Sequence, residues 1–273
     1  MSPPAAGGGG DILERIVTRQ RLELARARAD RPLAELRRAP GYRLERRHLA
    51  AALGARSPAI IAECKRRSPS RGVLRESYDP VAIARGYARA GAAAISVLTN
   101  AEFFGGSLDD LAAVREATEV PVLRKDFVID PYQVEEARAA GADAVLLIVR
   151  ILTPEELAGL GRLAAELGLE TLVEVHDERE LEIAVSAGAA ILGINNRDLT
   201  SFETDIATSE RLARLAPPGV RLVAESGLRS AADLRRLQRS GIDAFLIGES
   251  FMTAPDPGET LAAMLKEARQ VGA

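Results

Sequence analysis

The chain has 273 residues, 47% of them hydrophobic, and a formal net charge of −3. That is enough apolar material for a large core, and it excludes the strongly basic surface of a nucleic-acid binder. The lone cysteine, Cys64, excludes an intramolecular disulfide framework, and no apolar run approaches the roughly 20 residues of a membrane span.

Residues 1–10 lack the basic start and apolar centre of a signal peptide and are expected to form a disordered tail. From Asp11 to Ala29, apolar Ile12, Leu13, Ile16, Val17 and Leu24 recur at helical spacing. A second short helix is predicted over Leu44–Leu53. These helices, within residues 11–55, are too short for a core of their own. They are expected to pack against the remainder of the chain, under it or over its mouth, so that residues 11–273 form one domain.

A phrase then repeats: a helix end, a glycine, one or two small or acidic residues, and an apolar run. Gly91 precedes Ala94–Leu98, Gly141 precedes Ala144–Ile148, Gly188 precedes Ile191–Ile194, and Gly241 precedes Ala244–Ile247. These glycines are 50, 47 and 53 residues apart, room for two strand-helix units each. Further runs fill the gaps at Pro121–Lys125, Glu170–Glu174 and Val220–Glu225, and Ala59–Glu63 stands in front. Short apolar runs of this kind read as buried parallel strands. Asp79-Pro80, Asp130-Pro131 and Thr153-Pro154 each place a capping residue before proline at a helix start. Thr153 with Glu156, and Asp130 with Gln133, have capping-box spacing. Eight strands alternating with helices predict an α/β fold, a (β/α)8 TIM barrel with an N-terminal helical extension. An open doubly wound sheet is the alternative, weakened by the lack of a Gly-x-Gly-x-x-Gly after an early strand.

The predicted strand ends carry an unusual polar set: Glu63 and Lys65; Lys125 and Asp126; Glu174; Asn195, Asn196 and Arg197; Glu225 and Ser226. Alternation along a strand points Glu63 and Lys65 the same way and Cys64 the other, against a helix. In a barrel all these ends converge on one face, where ligands are handled. Small residues follow strands seven and eight, at Ser226-Gly227 and Gly248-Glu249-Ser250, where this fold commonly cradles phosphate. His48 is expected at the surface, and His176, two residues after Glu174, could graze the site. No metal-ligand cluster or Ser-His-Asp set stands out, which leaves lysine and carboxylate acid–base chemistry on a phosphorylated small molecule.

The phrases IAECKRRSPSRG, LTNAEFFGGS, VLRKDFVIDPYQ, LVEVH, GINNRDL, AESGL and LIGESFM, in this order over roughly residues 10 to 270, resemble the indole-3-glycerol phosphate synthase family. The resemblance implies closure, decarboxylation and dehydration of 1-(2-carboxyphenylamino)-1-deoxyribulose 5-phosphate to indole-3-glycerol phosphate, in tryptophan biosynthesis. It implies no cofactor and no metal, a cytoplasmic enzyme that is a monomer or weak homo-oligomer, and no membrane or nucleic-acid partner. By the same resemblance Glu63, Lys65, Lys125, Glu174, Asn195 and Glu225 are catalytic, while Ser68, Phe127, Arg197 and Ser226 bind substrate. Lys65, Ser226, Gly227, Gly248, Glu249 and Ser250 hold its phosphate.

The chemistry assigns roles to these positions. Lys125 is the candidate acid for ring closure, Lys65 a second acid, Glu174 the base, and Glu63 the group that orients the lysines. Arg197 suits the substrate carboxylate, and Phe127 with Leu146 the aromatic ring. Asn100 departs from the family, which commonly has an acid after Leu-Thr, so a different hydrogen bond is expected there. Two rivals remain: a phosphoribosylanthranilate isomerase, which would need a cysteine facing inward, and a barrel that binds a phosphorylated ligand without turning it over.

Overall fold

A computed structural model describes residues 12–198 and 203–270; the tail expected over residues 1–10 lies outside the described residues. Eight strands alternate with helices: β1 (Ala59–Cys64), β2 (Ala94–Leu98), β3 (Val122–Lys125), β4 (Ala144–Ile148), β5 (Glu170–Val175), β6 (Ile191–Asn195), β7 (Arg221–Glu225) and β8 (Ala244–Ile247). Each pairs in parallel with the next, and β8 pairs with β1 through Ala59–Ala244 to Ala62–Ile247, so the sheet closes into a (β/α)8 barrel rather than an open sheet.

Side-chain alternation sorts each strand into two faces. Ile60, Ala62 and Cys64 of β1, Val145 and Leu147 of β4, and Leu192 and Ile194 of β6 point outward into the layer between sheet and helices. Ile61, Ala94, Leu123, Leu146, Leu172, Ile191, Val223 and Leu246 point inward and fill the barrel. The helix starts form as their sequences require. The Asp79 carboxylate accepts from the Ala82 amide at 2.9 Å, and Thr153 and Glu156 form a reciprocal capping box. Asp130 caps its helix through the Tyr132 amide, but Gln133 does not close the expected box; its Oε1 accepts from the Ile129 amide instead. Gln133 also donates to the Phe127 carbonyl, so it braces the loop after β3.

The N-terminal segment departs from expectation in detail. The second helix begins at Leu49 rather than Leu44 and runs to Gly54, and a short turn of helix at Leu33–Leu36 was not expected from the sequence. Leu44–His48 is extended because its backbone is engaged elsewhere: Arg46 donates to the Leu44 and Ala142 carbonyls, and the Arg47 amide to Asp143. Leu49 and Leu53 pack against Ala59, Ile61 and Ala144 and close the bottom of the barrel. The first helix, α1 (Ile12–Asp30), goes the other way. The Tyr132 hydroxyl reaches the Ala27 and Arg31 carbonyls at its C-terminal end, while Leu13, Ile16 and Gln20 are buried nearer its start.

Leu53 is wholly buried at the floor, so Leu53→Ala should lower unfolding free energy by about 2–5 kcal/mol in urea titrations. Leu215→Ala, at an exposed position, should change it by less than about 0.5 kcal/mol. Equal losses would contradict the plug assigned to Leu49–Gly54.

Candidate active site

Above the apolar layers the same alternation delivers polar side chains. Glu63 follows Ile61, Lys125 follows Leu123, Glu174 follows Leu172, and Glu225 follows Val223, each two residues on. They line one cavity at the C-terminal mouth together with Lys65, Ser68, Phe127, Leu146, Asn195 and Arg197. Ser226, Gly227, Gly248, Glu249 and Ser250 complete the same wall. Every site position expected from the sequence therefore faces this cavity.

Lys125 is the hub. Its Nζ lies 3.2 Å from Glu174 Oε2 and 3.3 Å from Glu225 Oε2, with both carboxyls buried and the lysine 14% exposed. Burial alone works against the ammonium, but Glu225, Glu174 and Glu63 outweigh it and hold its pKa well above the ordinary value. The two carboxyls then part ways. Burial favours a neutral Glu174, yet Lys125, His176 and the Asn195 amide (Nδ2 to Oε1, 3.2 Å) together draw its pKa below the usual range. Glu225 is pushed up to about 8, chiefly by burial, with the nearby Glu174 charge adding to the shift against the opposing pull of Lys125. Near neutrality the set is one cation, one anion and one protonated carboxyl. Gly193 on β6 makes this possible, since a methyl group there would collide with Glu225 Oε1.

At the end of β1, Lys65 Nζ lies 2.5 Å from Glu63 Oε1, and a side chain at Gly248 would strike the Glu63 carboxylate. Across the mouth, Glu249 lies 3.0 Å from Arg71 and 3.5 Å from Arg197, and the Ser250 hydroxyl donates to the Leu228 carbonyl at 2.8 Å. The side chains of Glu249 and Ser250 are thus engaged within the protein. Ser226 is left-handed at φ 63°, strain that a non-glycine residue tolerates where the surroundings impose it, commonly at functional sites.

Sequence reasoning missed several residues. Phe104 faces Phe127 with ring centroids 6.1 Å apart, and Ile12, Leu13 and Ile16 of α1 lie over the same cavity. The α1 stripe was visible as a pattern, but a stripe names no partner. Asn100 caps the helix Ala101–Phe104 through the Phe103 amide, and its Nδ2 donates to Gln20 Oε1 at 3.0 Å. The departure at Asn100 ties the Phe104 loop to α1 by an amide–amide bond, in which a carboxylate could only be the acceptor. Cys64 faces the helical layer, and burial pushes its thiol well up, as expected of a packing residue. His48 is exposed. His176 does not line the mouth; it lies behind Glu174.

A carboxyl that keeps its proton to about pH 8 when folded, and releases it near 4.5 when unfolded, contributes most to stability at low pH. That contribution falls as pH rises from about 4.5 to about 8. The Tm of Glu225→Gln should therefore climb relative to wild type across this range, by scanning calorimetry at several pH values. A pH-independent difference would sink the assignment of a protonated Glu225.

A family model described as indole-3-glycerol phosphate synthase matches residues 13–264. The indole-3-glycerol phosphate synthase of Bordetella pertussis is 48% identical over 93% of this chain and 99% of its own. That of Roseiflexus sp. is 50% identical over 90% and 94%. Among solved structures, the thiamine phosphate pyrophosphorylase from Pyrococcus furiosus aligns with a TM-score of 0.60 at 17% identity, over 79% of this chain and 98% of its own, a likeness of fold alone. With both the barrel and the identity spanning nearly its whole length, this chain belongs to the indole-3-glycerol phosphate synthase family.

Proposed function

We propose that the protein converts 1-(2-carboxyphenylamino)-1-deoxyribulose 5-phosphate to indole-3-glycerol phosphate, by lysine and carboxylate acid–base catalysis in the barrel mouth. The observation that carries this reading is Lys125, whose Nζ lies between the Glu174 and Glu225 carboxyls at 3.2 and 3.3 Å within the cavity.

The ring carbon bearing the substrate carboxylate attacks the ketone, and the ketone oxygen becomes an alkoxide. Lys125 protonates it. An ammonium held this firmly gives up its proton only to a strong base, which a newly formed alkoxide is. Carbon dioxide leaves, and its bonding electrons return to the ring. The new hydroxyl then departs as water, with Lys65 as the second acid and Glu63 orienting it at 2.5 Å. Glu174, ionised and fixed by Asn195, removes the proton from the carbon beside nitrogen, and the indole is complete. Each well-placed acid or base is worth roughly 10²- to 10⁴-fold.

Binding divides along the cavity wall. Arg197, half-buried, with its backbone N–H donating to Asn195 Oδ1 at 3.0 Å, offers a planar donor fork to the substrate carboxylate. To receive it, the guanidinium leaves Glu249, a long contact of 3.5 Å. Phe104, Phe127 and Leu146 receive the aromatic ring. Phosphate goes to Ser68, Lys65 and the loops at Ser226-Gly227 and Gly248–Ser250. Ile12, Leu13 and Ile16 of α1 exclude water above the ring.

In a continuous indole-fluorescence assay, wild type should turn the substrate over, and Lys125→Ala should lose at least about 10²-fold in kcat with its circular dichroism unchanged. A wild type that binds the substrate without product would point to the non-catalytic barrel. Arg197→Ala should raise KM about tenfold or more, whereas Arg162→Ala, on the exposed face of a barrel helix, should leave it unchanged. Equal effects would contradict the role of Arg197.

A further inference from the structure

His176 is a buried titratable group that the mechanism above leaves unused. It follows Glu174 by two residues at the end of β5. Its Nδ1 lies 2.9 Å from Glu180 Oε2, and since a carboxylate only accepts, Nδ1 is the donor. The same Glu180 oxygen accepts the His176 amide at 2.7 Å, and Arg150 holds the other at 2.6 Å. Burial opposes a charge on Glu180, but the His176 bond and Arg150 keep its pKa below the ordinary range. The ring is thereby fixed in orientation. Its Nε2, buried and without a hydrogen-bond partner among the described residues, is aimed at Glu174 Oε1 at 3.4 Å.

Behind Glu174, exposure rises stepwise along this row, while Lys125 is 14% exposed on its own side. Side chains are 3% exposed at Glu174, 4% at His176, 10% at Glu180, 30% at Arg150 and 44% at Asp177. The row leads from Lys125 to a second cavity, which His176 lines with Arg150 and Asp177 and which shares Asn195 and Arg197 with the mouth.

The reaction needs such a route. It uses two protons, on the alkoxide and on the leaving hydroxyl, and recovers one from the ring. One proton per turnover must come from solvent, matching the carboxylate charge lost with carbon dioxide. Lys125 lines the mouth together with Ile12, Leu13 and Ile16 of α1, and in the reaction proposed above the substrate fills that space while the proton is needed.

We propose that His176 is the proton donor that refills Lys125 through Glu174. After Lys125 has protonated the alkoxide, the Nε2–H bond of the His176 imidazolium breaks and an O–H bond forms on Glu174. The carboxyl turns its O–H from the Oε1 side toward Lys125, the O–H bond breaks as an N–H bond forms on the neutral amine, and Glu174 is again a carboxylate, ready to act as the base. Neutral His176 keeps its Nδ1 proton on Glu180 and takes the next proton at Nε2 from water of the second cavity. The 3.4 Å contact shortens as the proton moves, as catalytic hydrogen bonds commonly do on going from the free enzyme to the reacting complex. Glu225, on the other side of Lys125, holds a proton but is buried beneath the same mouth, so it can lend one and not resupply it.

This assignment rests on the reaction proposed above, and the assay separates the two. His176→Ala and His176→Gln are compared with wild type for kcat and KM, with and without added imidazole. Both variants should lose about 10- to 100-fold in kcat at nearly unchanged KM. Imidazole should restore His176→Ala in a concentration-dependent way and leave wild type unaffected. An active wild type beside variants of equal kcat overturns the donor, as does a loss that appears in KM alone or that imidazole does not restore in His176→Ala. A wild type without turnover overturns the reaction, and the donor with it.

Discussion

The ion cluster around Lys125 is the constraint on which the site depends. A lysine and two carboxylates enclosed together would be costly to bury if all were charged, because each ion loses its hydration. Their geometry settles the matter by leaving a single ion pair: Glu174 keeps its charge with help from Asn195 and His176, and Glu225 surrenders its own. The barrel is what makes this arrangement possible. The residues directly beneath the cluster, Ile61, Leu123, Leu172 and Val223, are apolar, and its partners come from β3, β5, β6 and β7 at matching heights. Two glycines, at 193 and 248, hollow out the space that the Glu225 and Glu63 side chains occupy.

Around that cluster the two ends of the barrel are treated in opposite ways. The floor is sealed by Leu49 and Leu53 and locked by arginines whose donors are engaged by backbone carbonyls and by the buried Asp143. Over the mouth lies the first half of α1, held to the β2 loop by the Gln20–Asn100 amide pair and the Arg19–Glu102 ion pair. A firm floor suits groups that must keep fixed positions. A cover held by a few polar contacts suits an opening through which substrate must pass.

A similar division separates what is local from what is not. The eight strands were legible within a residue or two because buried parallel strands are short apolar runs, and because the glycine before every second strand marks a helix end. The roles of Glu63, Lys65, Lys125, Glu174 and Glu225 as cavity residues were legible for a related reason: period-two alternation and strand ends on a common face follow from chain geometry alone. Leu44–His48 was misread because its extended form is imposed by Arg46, Arg47 and residues some 70 to 100 positions distant. Gln133 was misread because a loop carbonyl and amide competed for it with the helix end.

The sequence by itself thus determined the barrel, its strand order and the set of side chains that meet at its mouth, since each depends on neighbours a few residues apart. Only the tertiary structure decided which of the assembled carboxyls is charged, that α1 lies over the mouth while Leu49 and Leu53 plug the floor, and that His176 stands behind Glu174 with its Nε2 turned toward it. Those outcomes depend on burial and on distances between strands and helices far apart in the chain. A pKa set by desolvation, or a stripe seeking its partner, has no value until the fold has closed around it.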